Sequence, residues 1–324
     1  MIDPARPEVI EALKVAHGAG LKCVMVTGDY KDTAEAIARE IGMLKPGGLV
    51  LTGPEIEAMS DADLAARAER LQVCCRVSPQ HKTRIVDAMK ANGHVVAMTG
   101  DGVNDAPALK RANIGVAMGI TGTDVAKQTA DMVLTDDNFA SIVSAIEQGR
   151  IIYSNIRKFV YFLLACNVGE ILIIFCAMLF GMPIPLKPVQ LLWLNLVSDG
   201  APALALGLEK GDPDIMTQPP RSPTEPVINK EMAIGIGVVG VVDAIAILTV
   251  FWLALQRYPQ HLEAAQSIAF LTLCTSELIR AFTARSETYS IFAIGFFSNR
   301  AMVWAVLGSF LQVLMAIYVT FLSP

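Results

Sequence analysis

The chain has 324 residues, of which 53% are hydrophobic and 18% charged, and its formal net charge is −5. That is too apolar for an ordinary soluble chain of this length, so part of it belongs in a membrane. The mildly acidic balance, without any Lys/Arg cluster interleaved with aromatics, excludes nucleic acid as a partner class.

The apolar excess is confined to the second half. Residues 1–150 are charged and patterned like a globular domain, whereas 151–324 hold nearly all the long apolar runs, which predicts a cytosolic domain followed by a membrane domain. Six cysteines form no CxxC pair or disulfide framework, since Cys74 and Cys75 are adjacent and Cys166, Cys176 and Cys274 lie in apolar runs. Reduced, mostly buried thiols are the expectation.

In chain order, KCVMVTGD at 22–29 and HVVAMTGDGVND at 94–105 share one design: a buried-strand run ending in Thr, Gly and Asp. Helical patterns follow each, DTAEAIAREIGML and APALKRAN, and further short strands fit IGVAM and MVLT. Alternating strands and helices predict a Rossmann-type parallel sheet with crossover helices, whose ligands gather at the carboxyl ends of the strands. There Asp29, Asp101 and Asp105 supply hard oxygens suited to Mg²⁺, the glycines admit phosphate close to backbone N–H groups, and Lys82 in RVSPQHKTRIV adds a positive point charge. A single TGD is a common strand-to-turn sequence; two in order, the second extended to TGDGVNDAPALK, form a far more specific signal.

The stretch DNFASIVSAIEQGRIIYSNIRKFVYFLL predicts one long helix over about 138–170, continuous between the two halves. Spanning runs follow at 159–180, 189–208, 232–255, 264–282 and 301–322, the fourth being the weakest. Arg157, Lys158, Lys210, Arg221, Lys230, Arg280, Arg285 and Arg300 flank one side against Lys187 and Arg257 on the other, which puts the N-terminal domain in the cytoplasm. An odd number of crossings leaves Pro324 on the far side.

Polar residues interrupt these runs in a pattern. FLLACNVGEILIIF sets Asn167 and Glu170 three residues apart; LLWLNLVSDGAP sets Asn195, Ser198 and Asp199 on one helical face; TLCTSELIRAF adds Glu277. An isolated carboxylate at membrane depth costs about 2.5–3.5 kcal/mol, so these groups need a partner. Gly200 and Pro202 loosen the helix and free carbonyls, as ion sites near the midplane require. Three carboxylates, two amides and a hydroxyl approach the ~6–8 oxygens that Ca²⁺ takes. Asp243, also in a spanning run, reads as a contact between helices.

Together the two TGD turns resemble the phosphorylation domain of P-type cation-transporting ATPases, a haloacid-dehalogenase-like fold, and the resemblance runs on into the membrane half. DPARPEV, at 3–9, looks like the hinge that follows that family's nucleotide-binding domain, with Ala5 where a second proline is usual. The resemblance implies that Thr27, Gly28 and Asp29 line the phosphate and nucleotide side, that Arg76 approaches ATP, and that Lys82 contacts phosphate. It implies further that Asp101 binds Mg²⁺, that Asn104 bonds the phosphoryl group, and that Asp105 supports the metal from beside it. In the membrane it is closest to type II pumps of the sarcoplasmic-reticulum calcium kind, which makes Asn167, Glu170, Asn195, Ser198, Asp199 and Glu277 the ligands of the transported cation. Ser198 stands where threonine is usual. Sodium–potassium pumps carry an acid at the position of Asn195, so the amide favours Ca²⁺ over a monovalent-cation pump.

No DKTGT string, the family's phosphorylated motif, occurs in the sequence. The resemblance therefore implies the C-terminal part of a multi-pass pump of a cell or plasma membrane, inactive by itself, whose partners are the lipid bilayer, the transported cation and an N-terminal portion of the same pump. A membrane-anchored phosphatase of the same fold and a non-catalytic ion-binding membrane protein are the rival readings.

Overall fold

The computed structural model describes residues 6–318, so the first residues of the hinge stretch 3–9 and the end of the run 301–322, with Pro324, lie outside the described residues. The chain divides into two compact units, one of residues up to Gln148 together with Asp214–Pro223, the other of Gly149–Pro213 together with residues from Thr224 onward.

The first unit is α/β. Strands β1 (Met25–Val26), β2 (Leu49–Thr52) and β3 (Leu71–Cys75) form a parallel sheet in the order β1-β3-β2, and β4 (Ala97–Gly100), β5 (Ile114–Met118) and β6 (Met132–Leu134) form a second in the order β4-β5-β6. The parallel arrangement is the expected one, but it comes as two three-stranded pieces. Strands β2 and β3 are additions to the reading of the sequence. Central β3 shows why it needs both faces covered: Cys74 packs with Leu51, Ile56, Leu64, Ile85 and Met89, while Val73 and Cys75 pack with Leu13, Ala34, Ala38 and Ile41. Its adjacent cysteines are thus core residues on opposite faces, and burial, with the neighbouring Cys75, pushes the Cys74 thiol up to about 12. All six cysteines are free.

The second unit is a helical bundle. One 41-residue helix, Phe139–Leu179, enters it, starting where expected, running past the expected end at 170 and without an internal break. Next comes a broken helix made of Pro188–Trp193, a π-helical turn Leu194–Ser198 and Gly200–Leu206. Helices Lys230–Arg257, Leu262–Thr283 and Arg300–Tyr318 complete it. Among the described residues, four segments are long and apolar enough to cross a membrane: Phe139–Leu179, Pro188–Leu206, Lys230–Arg257 and Arg300–Ile317. The fourth expected span, 264–282, falls in helix Leu262–Thr283, which has the length but not the composition. It needs less apolar surface because other helices enclose it: Ala265, Ala269, Phe270, Leu273, Cys274, Glu277 and Ala281 are all buried.

Two glycines let the first and third of these helices approach closely. A Cβ on Gly240 would lie 3.0 Å from Val168 Cγ1 and 3.4 Å from Gly169 N, and one on Gly169 would lie 3.3 Å from Asp243 Oδ2. Small residues at a membrane helix crossing allow this contact, and here it fixes the turn that carries Glu170.

Arg280 and Arg285, which read as flanking charges in the sequence, are buried instead. Arg285 grips Glu209 through Nε (2.8 Å) and Nη2 (2.9 Å) and donates to the carbonyls of Gly295 and Phe296 at 3.0 Å each. Asn299 Nδ2 adds a 2.8 Å bond to Glu209 and a 3.0 Å bond to Ala205 O. Burial works against the charge of Glu209, but these partners outweigh it and hold its carboxyl below the ordinary range. The knot ties the end of the broken helix to the start of the last one.

Candidate phosphoryl and cation sites

In the first unit the expected residues lie on loops at the carboxyl ends of β1, β3 and β4. The Thr27 N–H donates to Cys74 O at 2.9 Å, Arg76 N to Asp29 O at 3.1 Å and Val77 N to Thr27 O at 3.3 Å, so the loops after β1 and β3 are stitched together. The Thr27 hydroxyl donates to Asp29 Oδ2 at 2.9 Å. Arg76 turns in the left-handed region, at φ 53°, and its guanidinium lies 5.0 Å from the centre of the Tyr30 ring. This cation–π contact holds an exposed, charged side chain beside the TGD loop.

Lys82 sits on helix Pro79–Ala91, whose start is secured by a reciprocal cap: Ser78 Oγ accepts from His81 N, and His81 Nδ1 accepts from Ser78 N at 3.1 Å. Its ammonium pairs with Asp105, which is buried. Asp105 also accepts from the N–H groups of Asp101 (3.2 Å) and Gly102 (3.1 Å). Burial opposes the charge of Asp105, yet Lys82 and the Gly102 N–H hold its carboxyl below the usual range. Gly100 is obligatory here, because a Cβ would come within 2.4 Å of Asp105 Cβ. Asp101 and Asn104 stand exposed on the same turn, and the Asp101 carboxylate enters no hydrogen bond among the described residues. The turn therefore joins one anchored carboxylate to one exposed carboxylate, with a lysine alongside.

Breaking that anchor has a measurable signature. A carboxylate whose folded value is depressed adds stability that is full above its unfolded value and is lost as pH falls through the folded one. Lys82→Met is expected to lower the thermal midpoint at pH 7, and the gap to the unmutated protein should close below about pH 4. A gap that is constant from pH 7 to pH 3 would show that the pair carries no such linkage.

In the second unit the structure divides the expected ligands into two adjoining groups. Asn195 Nδ2 donates to both oxygens of Glu170, at 3.1 and 2.9 Å. Asp199 and Glu277 lie with Cys166 so that one ligand atom from each falls within 4.8 Å of the others. Both carboxylates are 0% exposed, and none of their four oxygens finds an N–H or O–H donor among the described residues. Glu170 lies within electrostatic reach of both. Ser198 is buried, its Oγ 4.0 Å from Cys274 Sγ. Asn167 turns its amide back to Leu163 O of its own helix at 2.8 Å.

The broken helix explains this division. Asp199 N bonds to Leu194 O, five residues back, at 2.9 Å. Pro202 has no N–H, so the carbonyl of Ser198 lacks its ordinary helical donor. The wide turn separates the direction of Asn195 from that of Asp199 and adds carbonyl oxygen to the bundle interior.

Two participants were not foreseen. Cys166 read as an inert thiol, although its spacing of four from Glu170 puts it on the ligand face. Arg280 donates to Asp243, which also accepts from Ser276 Oγ at 3.1 Å, and Arg280 Nη1 lies 3.9 Å from Cys166 Sγ. Asp243 is thus a contact between helices, as its position suggested, with a charged partner.

Comparison with known proteins matches residues 183–324 to the family described as cation transporting ATPase, C-terminus, and residues 1–113 and 82–146 to haloacid dehalogenase-like hydrolase families. The calcium-transporting ATPase of Bacillus subtilis (strain 168) is 49% identical over 324 residues, which is 100% of this chain and 36% of that protein. Calcium-transporting ATPase 1 of Bacillus cereus is 46% identical, covering 100% of this chain and 38% of its own length. Calcium-transporting ATPase type 2C member 1 of Homo sapiens is 42% identical over 318 residues, 98% of this chain and 34% of that protein. The chain thus spans little more than a third of the length of these relatives.

Proposed function

Because the chain belongs to the P-type cation-transporting ATPases, as a multi-pass membrane protein joining their C-terminal region to a haloacid dehalogenase-like region, we propose that it serves an ATP-driven pump that exports Ca²⁺ from the cytosol through an aspartyl-phosphate cycle. One observation carries the reading: Asp199 and Glu277 bury four carboxylate oxygens without donors, next to Glu170, inside a membrane bundle. Charges so placed are stable when a cation shares them. The donor set is hard, of the kind that holds Ca²⁺, and the carbonyl of Ser198, left without its helical donor by Pro202, extends it. Asn167 and Asn195 complete the proposed ligand set as neutral oxygen donors once their amides turn.

In the first unit, the exposed carboxylate of Asp101 fits Mg²⁺, which when bound would neutralise charge on a transferring phosphoryl group. Lys82, fixed by Asp105, places positive charge at the same strand ends. Asn104 can donate to a phosphoryl oxygen from the neighbouring turn, while Thr27, Gly28 and Asp29 line the opposite loop and Arg76 faces the nucleotide of ATP. Asp105 serves by holding the loop N–H groups and Lys82 in place.

The test is cation-dependent ATP hydrolysis by the full-length pump. Stimulation by micromolar Ca²⁺ is expected, and Asn195→Asp should impair selectivity for Ca²⁺ without emptying the site, since it sets a second negative charge against Glu170. Stimulation by Na⁺ and K⁺ with indifference to Ca²⁺ would overturn the calcium assignment.

A further inference from the structure

The two unpaired carboxylates have a sulfur neighbour. Cys166 is 1% exposed, and its Sγ shares the 4.8 Å cluster with Asp199 and Glu277. A buried structural thiol ordinarily packs against apolar atoms and stays inert. This one faces two carboxylates, and the guanidinium of Arg280, 3.9 Å from it, is already engaged by Asp243. A second thiol, Cys274, lies one turn before Glu277 on the same helix and against the Ser198 hydroxyl. The carboxylate oxygens that lack donors point to a ligand, and the thiol stands where that ligand would sit.

We propose that the cation site is a mixed oxygen–sulfur site in which Cys166 Sγ is a ligand, so that thiophilic divalent cations such as Cd²⁺ occupy it in competition with Ca²⁺. The inference rests on the cation-site reading above and refines its substrate class. Binding is a proton-for-metal exchange: the Sγ–H bond breaks, an Sγ–metal bond forms, and the proton leaves to solvent, with no change of oxidation state. Cd²⁺ is close to Ca²⁺ in size but much softer, so it gains from the thiolate what Ca²⁺ cannot. Asp199 and Glu277 serve both ions; Cys166 separates them.

The experiment compares Ca²⁺-displaceable binding of Cd²⁺ to the full-length protein with the ultraviolet cadmium–thiolate charge-transfer band of the same samples. Cys23, Cys74, Cys75, Cys176 and Cys274 also carry sulfur, so only the part of the signal that Ca²⁺ displaces and Cys166 substitution removes is scored. Cys166→Ser, which preserves shape, is expected to remove that part of the band and weaken Cd²⁺ binding about tenfold or more, a larger loss than for Ca²⁺. Asp199→Asn should weaken both ions. If Cys166→Ser folds poorly, Cys166→Ala takes its place with the same expected result. A Ca²⁺-displaceable band that survives in both cysteine variants, or, in a protein that Ca²⁺ activates, Cd²⁺ binding that Ca²⁺ never displaces, would overturn the inference. A Cys166-dependent band in a protein that Ca²⁺ does not activate would instead uphold the sulfur ligand and remove the calcium reading; weakening of that band in Asp199→Asn then assigns it to this site.

Discussion

Asp199→Asn is expected to raise the Ca²⁺ concentration for half-maximal ATPase activation by about 100-fold or more, and at the same time to make the Ca²⁺-free protein more resistant to heat. The first effect follows from charge count, since the affinity of a hard-cation site depends on how many carboxylates face it. The second follows from burial. Asp199 finds no N–H or O–H donor among the described residues and shares its neighbourhood with Glu170 and Glu277, so without a cation its charge opposes folding. An amide relieves that repulsion, and a rise of ~2–4 °C in the thermal midpoint corresponds to about 1 kcal/mol. Glu277→Gln should behave in the same way. Measuring both quantities on one preparation separates a ligand from a structural acid, for a structural acid would lose stability on neutralisation. Unchanged activation by Ca²⁺ would remove Asp199 from the site.

Removal of Asp243 should act in the opposite direction. Asp243→Asn leaves the buried guanidinium of Arg280 without its counter-charge, and breaking such a pair from one side costs about 3–5 kcal/mol. The loss falls on the packing of helix Lys230–Arg257 against helix Leu262–Thr283, so it should appear as a lower unfolding temperature in detergent. Asp243→Asn combined with Arg280→Gln should recover much of that loss, because neither charge remains buried alone. Function gives a second readout: an unpaired Arg280, already 3.9 Å from Cys166, adds positive charge beside Glu277 and should weaken Ca²⁺ binding in the single variant more than in the double. An Asp243→Asn protein that unfolds at the unmutated temperature would contradict the role given to the pair.

Much of this arrangement could be read from residue order. Both TGD turns fall at strand ends because a short apolar run closed by Thr-Gly-Asp can hardly be anything else, and IGVAM forms β5 over Ile114–Met118 as written. Strand β3 escaped because LQVCC lacks a period-two pattern, both its faces being buried, and β2 because four residues after a glycine-rich turn give little signal. In the membrane half, spacing grouped Glu170, Asn195, Asp199 and Glu277; the structure buries the three acids and leaves Asn195 exposed, bonded to Glu170. Spacing assumed an α-helical period through 194–198, however, and so placed Asn195 and Asp199 together where the structure aims them at different partners. Arg280 was misread for a related reason: a lone arginine near the end of an apolar run looks like a boundary charge until a buried acid on the next helix is known to meet it. Glu209 and Arg285, 76 residues apart, left no local trace at all.

The π turn at Leu194–Ser198 makes this helix sensitive to length as well as to chemistry. Such a turn holds one residue more than an α turn, which is what a single-residue insertion into a regular helix would produce. Losing one residue there would close the turn and rotate everything on one side of it by about 100° relative to the other. Asn195 and Asp199 would keep their identities yet exchange neighbours. In the proposed cation site, ion choice can therefore drift by insertion or deletion with every proposed ligand residue preserved, a change that comparison of residue identities alone would overlook.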